Sequence, residues 1–306
     1  MALIVGMWAT QLTRGAGALF EPPTVRPPET NLLNRRAPAE APPIAMLGVP
    51  FDHVTLADAV KRIEQKDISR QPHYIVTPNV DFLVQARRDD ELRRILLEAH
   101  LVLCDGTPLV WASRFLGNRL PERVAGSDLV PRLIRLAAEK NYSLFFLGAT
   151  AESNAQAVDK VRAQFPGINI AGHYSPPFRP LHEMDHQEII RRIRLARPDI
   201  LLVAFGCPKA EKWMAMHCQA LGVPVMIAIG ATIDFLAGRV KRAPVWMQRS
   251  GTEWIFRMSQ EPRRLIRRYA SDLYPFARGI TSQWWRERRS KSQATSLELQ
   301  RNSNFQ

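Results

Sequence analysis

The sequence has little cysteine, no long apolar run and none of the common phosphate-binding or metal-binding motifs. Only 3 of its 306 residues are cysteine. None of them forms a C-x-x-C pair, so we expect neither a disulfide framework nor a thiolate metal site, which fits a reducing compartment. No stretch reaches about 18 consecutive apolar residues, which argues against a spanning helix. A P-loop is missing, as is a D-x-D pair that would hold a divalent cation against a diphosphate.

Two local motif matches carry little weight. His182 to His186 reads H-E-x-x-H, but this polar stretch follows several prolines and no further zinc ligand is apparent. Gly15-Ala16-Gly17 begins a G-x-G-x-x-G match that Phe20 breaks, and no clear βαβ unit surrounds it. A nucleotide-dependent oxidoreductase stays an alternative, although the sequence lacks the G-x-G-x-x-G motif that is usual in that class.

The composition changes along the chain and predicts four segments. Arg14 follows the apolar run Ala2 to Ala9 instead of preceding it, so we expect no signal peptide. The first segment is proline-rich and the last is polar, and both are expected to be disordered. Between them we predict an α/β core and a basic amphipathic appendage. The four segments are residues 1–43, 44–238, 239–291 and 292–306.

Strand and helix patterns alternate through the core. Strand candidates such as Ile200 to Phe205 are apolar without interruption, as expected for strands that are covered on both faces. Helix candidates repeat their apolar residues near every 3.6 positions, and one such helix is predicted from about Val80 to Ala99. We therefore predict an α/β fold, a Rossmann-like and mostly parallel sheet with helices on both faces.

Polar residues and glycines follow several of these strands. The apolar run Leu101 to Cys104 ends at Asp105-Gly106, and Thr77 and Asn79 follow the strand before it. Ligands of open α/β sheets bind outside the carboxyl ends of the strands, so Asp105 is a candidate catalytic carboxylate. The alternative is that Asp105 caps the next helix. Further strands end at Gly148, Gly206 and Gly230.

The net charge of +13 lies mainly in the last third of the chain. Residues 238–291 hold 14 Lys and Arg against 4 Asp and Glu, a difference of +10. Trp, Tyr, Phe and Leu residues lie between the basic ones. This pattern is typical of helices that lie on anionic membranes. A solvated basic face and a non-enzymatic nucleic-acid binder are the alternatives.

A set of motifs, spread from about Ile44 to Tyr269, resembles the WecG/TagA/CpsF glycosyltransferase family. The set consists of Thr77-Pro78-Asn79, Asp105-Gly106, Arg123 to Leu129, Phe146 to Gly148, Gly206 to Trp213, Asp234 to Gly238, Arg242 to Pro244, Glu253-Trp254, Glu261 to Arg264 and Arg267 to Tyr269.

The resemblance implies a metal-independent, inverting transferase that uses no cofactor. Such enzymes move a sugar from a nucleotide donor, usually UDP-linked, to a sugar carried on a polyprenyl diphosphate. They work at the cytoplasmic face of the cell membrane, as peripheral proteins, in surface or exopolysaccharide synthesis. The expected partners are the donor, the lipid-linked acceptor and the anionic membrane surface, with no nucleic acid, and a homo-oligomer stays an open alternative.

The resemblance also assigns roles to residues. Asp105 is implied to be the general base, and Thr77, Asn79 and Arg123 to line the same pocket. On charge alone, Arg123 and Arg242 are the candidates for stabilising the leaving diphosphate. The basic appendage is implied to meet the membrane and the lipid diphosphate. The expected substrate-binding residues are Thr77, Asn79, Arg123, Gly148, Lys209, Glu211, Asp234 and Arg242. The expected membrane or lipid-diphosphate residues are Arg263, Arg264, Arg267 and Arg268.

One position departs from the family pattern. Ala210 stands where the family usually has Gln, between Lys209 and Glu211. Gln can donate hydrogen bonds to a sugar, and Ala cannot. Either the donor sugar differs from the usual N-acetylmannosamine type, or a neighbour such as Lys209 compensates.

Overall fold

A parallel β-sheet lies between two layers of helices in the computed structural model, which describes residues 41–68, 71–260 and 262–303. Within these ranges, the side chains of residues 66–68, 249, 264, 291 and 294–303 are not described. The strands are β1 (Ile44–Met46), β2 (Val49–Phe51), β3 (His73–Val76), β4 (Leu101–Val102), β5 (Leu144–Gly148), β6 (Ile170–Tyr174), β7 (Ile200–Ala204) and β8 (Val225–Ala228).

The helices between β2 and β8 join the strands, and the others follow β8. They are α1 (Leu56–Ile68), α2 (Val80–Ala86), α3 (Asp90–Glu98), α4 (Thr107–Phe115), α5 (Gly126–Lys140), α6 (Ala151–Gln164), α7 (His186–Ala196), α8 (Lys209–Leu221), α9 (Thr232–Ala237), α10 (Val245–Ser250), α11 (Glu253–Gln260) and α12 (Pro262–Ser303).

Six strands form one parallel sheet in the order β4-β3-β8-β7-β5-β6, and β1 and β2 form a separate antiparallel hairpin. The central strands are buried along almost their whole length because helices cover both of their faces. Helices α2, α3, α7 and α8 pack on one face, and α1, α5, α6 and α9 on the other. The predicted fold class is confirmed.

The C-terminal helix α12 packs along the core instead of standing apart from it. Leu265, Phe276 and Ile280 of α12 are buried, and the helix runs against α2. Gln283 accepts a hydrogen bond from Leu47 N (2.9 Å) and donates one to Ala45 O (2.8 Å). The appendage is therefore fixed to the α/β core at both α2 and the hairpin.

Two sequence predictions differ from the structure. The single helix predicted over residues 80–99 is two helices, because the Asp89 carboxylate caps α3 by accepting a hydrogen bond from Leu92 N (2.9 Å). The tail predicted to be disordered from residue 292 continues as part of α12 to Ser303, because it contains neither Pro nor Gly to end the helix. The predicted leader falls mostly on residues 1–40, outside the described residues.

Candidate active site

Three loops meet at Asp105, directly after strand β4. The Asp105 amide donates a hydrogen bond to Pro78 O (3.1 Å), which places the loop after β3 beside it. The Val124 amide donates to Cys104 O (2.8 Å), which fixes the loop that carries Arg123 on the other side. These backbone contacts bring together the first three motifs that the sequence singled out.

Asp105 does not cap the following helix. The residue at the N-cap of α4 is Gly106, and no side chain caps that helix. Asn79 is the cap of α2 instead, with its side-chain oxygen accepting from Asp81 N (3.0 Å). Thr77 is buried and donates its hydroxyl proton to Ala228 O on the neighbouring strand (3.3 Å). The capping alternative for Asp105 is therefore wrong, whereas Asn79 and Thr77 hold the loop in place.

The Asp105 carboxyl group titrates close to neutral pH. Burial among protein atoms raises its pKa from the usual 3.8 to about 6. The positive charges of Arg123 and Arg257 oppose this rise, and the negative charges of Glu253 and Asp128 add to it. A carboxylate with a pKa near 6 is mostly ionised at pH 7 and still basic enough to accept a proton.

Two arginines predicted to bind a diphosphate are already paired with carboxylates. Arg123 donates from Nη1 to Glu253 Oε2 (2.9 Å) and from Nη2 to Asp128 Oδ2 (2.7 Å). Arg242 forms a second ion pair with Asp128 and donates from Nη1 to Ser127 O (3.2 Å), while its Nε lies 3.7 Å from Glu253 Oε1. We call Arg123, Asp128, Arg242 and Glu253 the charge network.

Lys209 and Glu211 lie on the first turn of α8, after strand β7. Lys209 Nζ donates to Arg179 O (3.2 Å) and lies 4.4 Å from the centre of the Phe178 ring. Glu211 is fully buried, and burial raises its pKa from 4.5 to about 8, so this carboxyl group is largely protonated at neutral pH. Ala210 between them is buried too, in the core beneath α8.

The remaining predicted substrate-binding residues, Gly148 and Asp234, lie at the carboxyl ends of other strands of the same sheet. Gly148 ends β5, with β3, β8 and β7 between it and β4. At a strand spacing of about 4.8 Å, it lies roughly 19 Å from the end of β4. Asp234 is half-buried in the first turn of α9, after β8. The predicted residues therefore line an elongated edge of the sheet instead of surrounding one point.

The arginines predicted to meet the membrane do not all face solvent. Arg263 and Arg267 are exposed on α12. Arg268 turns toward the core instead, with its Nε 3.7 Å from Asp81 Oδ2 and 4.0 Å from Asp272 Oδ2. The side chain of Arg264 is outside the described part of the structure.

Glu253 and Arg257 are charged neighbours of Asp105 that the sequence did not mark as site residues. Both belong to α11 in the appendage. The sequence contained two signals for Glu253, because it belongs to the motif Glu253-Trp254 that resembles the family and is among the 4 acids in residues 238–291. An acid kept within so basic a segment indicates a specific pairing partner.

The H-E-x-x-H stretch shows no zinc-binding arrangement. His182 is exposed and contacts its neighbour Glu183, whereas His186 Nδ1 lies 2.9 Å from His217 Nε2 on α8. Within residues 41–68, 71–260 and 262–303, no group of three His, Cys, Asp or Glu side chains could hold a metal ion. The same residues contain no helix that is long and apolar enough to cross a membrane.

The fold is that of an α/β enzyme, and the candidate site lies at the carboxyl ends of its parallel strands. The family model described as "Glycosyl transferase WecG/TagA/CpsF family" matches residues 44–290, and the chain belongs to this family of glycosyltransferases. The resemblance seen in the motifs is confirmed, which decides against the oxidoreductase alternative.

Named relatives of the chain come from Staphylococcus aureus strains MW2, MRSA252 and NCTC 8325. Each is 28% identical over 226 residues, which cover 73% of this chain and 87% of the relative. All three are named N-acetylglucosaminyldiphosphoundecaprenol N-acetyl-beta-D-mannosaminyltransferase.

Proposed function

We propose that this glycosyltransferase moves a sugar from a UDP-sugar to a sugar linked to polyprenyl diphosphate, without a metal ion and with inversion at the anomeric carbon. The observation that carries the proposal is the position of Asp105 after β4, where the loop of Thr77 to Asn79 and the loop that carries Arg123 are bonded to its own loop. Burial, which raises the pKa of Asp105 to about 6, agrees with it. The names of the relatives, which specify a lipid diphosphate-linked acceptor, support the same substrate class.

Asp105 acts as the general base in this proposal. The acceptor hydroxyl oxygen attacks the anomeric carbon while its proton passes to Asp105, and the bond from that carbon to the diphosphate breaks to release UDP. A single displacement of this kind inverts the anomeric centre and needs one base and no protein nucleophile. General-base catalysis contributes about 10²–10⁴-fold to such a step.

The arginines around Asp105 stabilise the leaving diphosphate. A guanidinium group has five N–H donors, so Arg123 keeps about three after its bonds to Glu253 and Asp128. Arg257 and Arg242 bring two further positive charges from the appendage. Fixed donors aimed at developing charge stabilise a transition state without having to reorganise. A protein without a metal ion needs such an arrangement to neutralise a diphosphate.

The carboxyl ends of the parallel strands bind the acceptor and the nucleotide of the donor in this proposal. The loop of Thr77 and Asn79 lies beside Asp105 and contributes to the wall of the acceptor site. Lys209 and Asp234 follow the strands that lie between Asp105 and Gly148, and the donor nucleotide binds along these strand ends. Glu211 is buried and supports the first turn of α8.

A donor screen tests the proposed reaction. The full-length protein is incubated with N-acetylglucosaminyl-diphosphoundecaprenol and, separately, UDP-N-acetylmannosamine, UDP-N-acetylglucosamine and UDP-glucose, and the product mass is measured. We expect one disaccharide-lipid product, formed equally well with excess EDTA. Because Ala210 replaces the usual Gln, transfer of a sugar other than N-acetylmannosamine supports a changed donor, and transfer of N-acetylmannosamine supports compensation by Lys209.

The Asp105→Asn variant tests the base within the same assay. Its turnover should fall by about 10²–10⁴-fold while UDP binding, measured by calorimetry, stays within a few-fold of wild type. Asp272→Asn is the matched control, because Asp272 is also a buried carboxyl group with a raised pKa but lies on α12 beside Arg268. Full turnover by a folded Asp105→Asn protein rules out the base assignment.

We further propose that the appendage binds the anionic inner surface of the cell membrane. Leu273 and Tyr274 on α12 are 68% and 72% exposed, and Arg263 and Arg267 are exposed on the same helix. Exposed apolar and aromatic side chains beside cations are typical of helices that lie in a membrane interface. Each cation near an anionic leaflet contributes about 1 kcal/mol.

Co-sedimentation with liposomes tests the membrane proposal. A Leu273→Ser, Tyr274→Ser double variant should bind vesicles of phosphatidylglycerol and phosphatidylcholine more weakly than wild type does. Leu195→Ser is the control, since Leu195 is 71% exposed on α7 and lies outside the appendage. Binding that is unchanged in the double variant contradicts the proposed surface, and wild-type binding to DNA but not to vesicles would favour the nucleic-acid alternative.

A further inference from the structure

Glu253 is a buried acid that joins the appendage to the active-site loops. It is the first residue of α11 and is 7% exposed. The turn before it is packed tightly against the start of α4, where a Cβ added to Gly251 would lie 2.5 Å from Thr107 Cγ2. Thr107 is two residues beyond Asp105. The backbone next to Glu253 is therefore held close to the loop that carries the base.

The carboxylate of Glu253 contacts guanidinium groups from two separate segments. One oxygen accepts from Arg123 Nη1 in the core (2.9 Å), and the other lies 3.7 Å from Arg242 Nε in the appendage. Asp128 contacts the same two arginines from α5. Arg123 is thus held at both of its terminal nitrogens, by carboxylates on two different elements.

We propose that Glu253 is a positioning residue for sugar transfer, which holds the Arg123 guanidinium in place beside Asp105 and so couples the appendage to the reacting groups. This inference rests on the proposed function. Asp128 alone leaves Arg123 free to rotate about a single contact, whereas two contacts on opposite nitrogens fix the plane of the guanidinium. A misplacement of about 1 Å in such a group costs up to roughly 10²-fold in rate.

Glu253 also sets part of the electrostatic environment of the base. The charged groups that act on Asp105 are Arg123 from the loop before α5, Asp128 from α5, and Glu253 and Arg257 from α11. The negative charge of Glu253 raises the pKa of Asp105. When Gln replaces Glu253, Asp128 still keeps the Arg123 charge near Asp105, although the guanidinium plane is no longer fixed. The loss of the negative charge of Glu253 therefore lowers the pKa of Asp105, and the acidic limb of the pH–rate profile moves to lower pH.

The experiment compares Glu253→Gln, Glu253→Asp and the control Asp272→Asn in the full-length protein. Asp272 is a suitable control because it is also 7% exposed and also lies in the appendage, but acts on Arg268 and not on Asp105. Steady-state transfer is measured from pH 4.5 to 8 with the UDP-sugar that wild type uses, together with thermal unfolding of each variant.

We expect Glu253→Gln to lower kcat about 10- to 100-fold, with the KM for the donor changed much less, and to shift the acidic limb to lower pH. Glu253→Asp keeps the charge, so it should leave the acidic limb in place and recover part of the rate. A general loss of stability would lower the amount of active protein without moving the limb, and Asp272→Asn shows the size of that effect.

Two results would overturn the inference while the proposed function stands. The first is a folded Glu253→Gln protein with wild-type kcat and an unmoved acidic limb. If Glu253→Gln does not fold, the second is a folded Glu253→Asp protein with wild-type kcat, because the shorter side chain would then do without the position of the Glu253 carboxylate. Failure of the proposed function is distinct, because wild type itself then transfers no sugar from any of the UDP-sugars tested.

Discussion

The pH dependence of transfer gives a direct measure of the environment of Asp105. With a pKa of about 6 for the free enzyme, roughly 90% of Asp105 is ionised at pH 7 and roughly 9% at pH 5. The value of kcat/KM should therefore fall about tenfold between these two pH values. With the ordinary pKa of 3.8, more than about 90% would remain ionised at pH 5, and kcat/KM would barely change.

Replacing Arg257 by Gln tests the origin of this pKa. The positive charge of Arg257 lowers the pKa of Asp105, so its loss should move the acidic limb to higher pH. The direction is opposite to that expected for Glu253→Gln, although both residues lie on α11. Arg135→Gln is a suitable control, because Arg135 is exposed on α5 and is not among the charges that act on Asp105.

The assay is sugar transfer at donor concentrations well below KM, from pH 4.5 to 8, at constant ionic strength. Under these conditions the profile reports the free enzyme, and saturating donor reports the complex instead. A limb centred near pH 4 would show that burial does not control the Asp105 carboxyl group. A limb near pH 6 that does not respond to Arg257→Gln would show that another group titrates there.

Two further predictions concern stability. Burial raises the pKa of Glu211 from 4.5 to about 8, so the native state keeps a proton that the unfolded state loses. Stability should fall by up to about 5 kcal/mol as pH rises from 4.5 to 8, and urea unfolding of Glu211→Gln should show a smaller pH dependence. Gly148 has φ +103°, and an added Cβ would lie 2.6 Å from Ala204 O. Gly148→Ala should therefore lower the free energy of unfolding by about 2–4 kcal/mol. Gly117 is the control, because it is also at positive φ but has nothing within 4 Å of the added Cβ, so Gly117→Ala should cost about 1 kcal/mol. Equal costs would contradict the role of the close contact.

Much of the fold could be predicted because the buried strands leave a strong local signal. The continuous apolar run of β7 and the helical periodicity of its neighbours depend only on residues that are close in sequence. The order of the strands could not be predicted in this way, because it depends on where each connecting segment returns the chain to the sheet. Likewise, the break between α2 and α3 depends on one capping bond of Asp89, which competes with an otherwise continuous helical pattern.

The candidate site could be predicted only in part, for the same reason. Asp105 stands out because it ends an apolar run, which is a local feature. The pairing of Arg268 with Asp81 joins residues that are far apart in the chain, so Arg268 could not be distinguished from the exposed Arg267 by its local sequence. Glu253 and Arg257 reach the site only because α11 packs back onto the core.

The charges around Asp105 support our proposal that the appendage is part of the catalytic unit. Asp105, Asp128 and Glu253 together carry three negative charges, and Arg123, Arg242 and Arg257 carry three positive charges, so the site is close to neutral before a donor binds. A core that ended at residue 238 would keep Asp105, Asp128 and Arg123 but lose Arg242, Glu253 and Arg257. The remaining charges would be two negative and one positive, which disfavours a diphosphate. The segment that we propose to meet the membrane thus also supplies most of the positive charge that the leaving group needs.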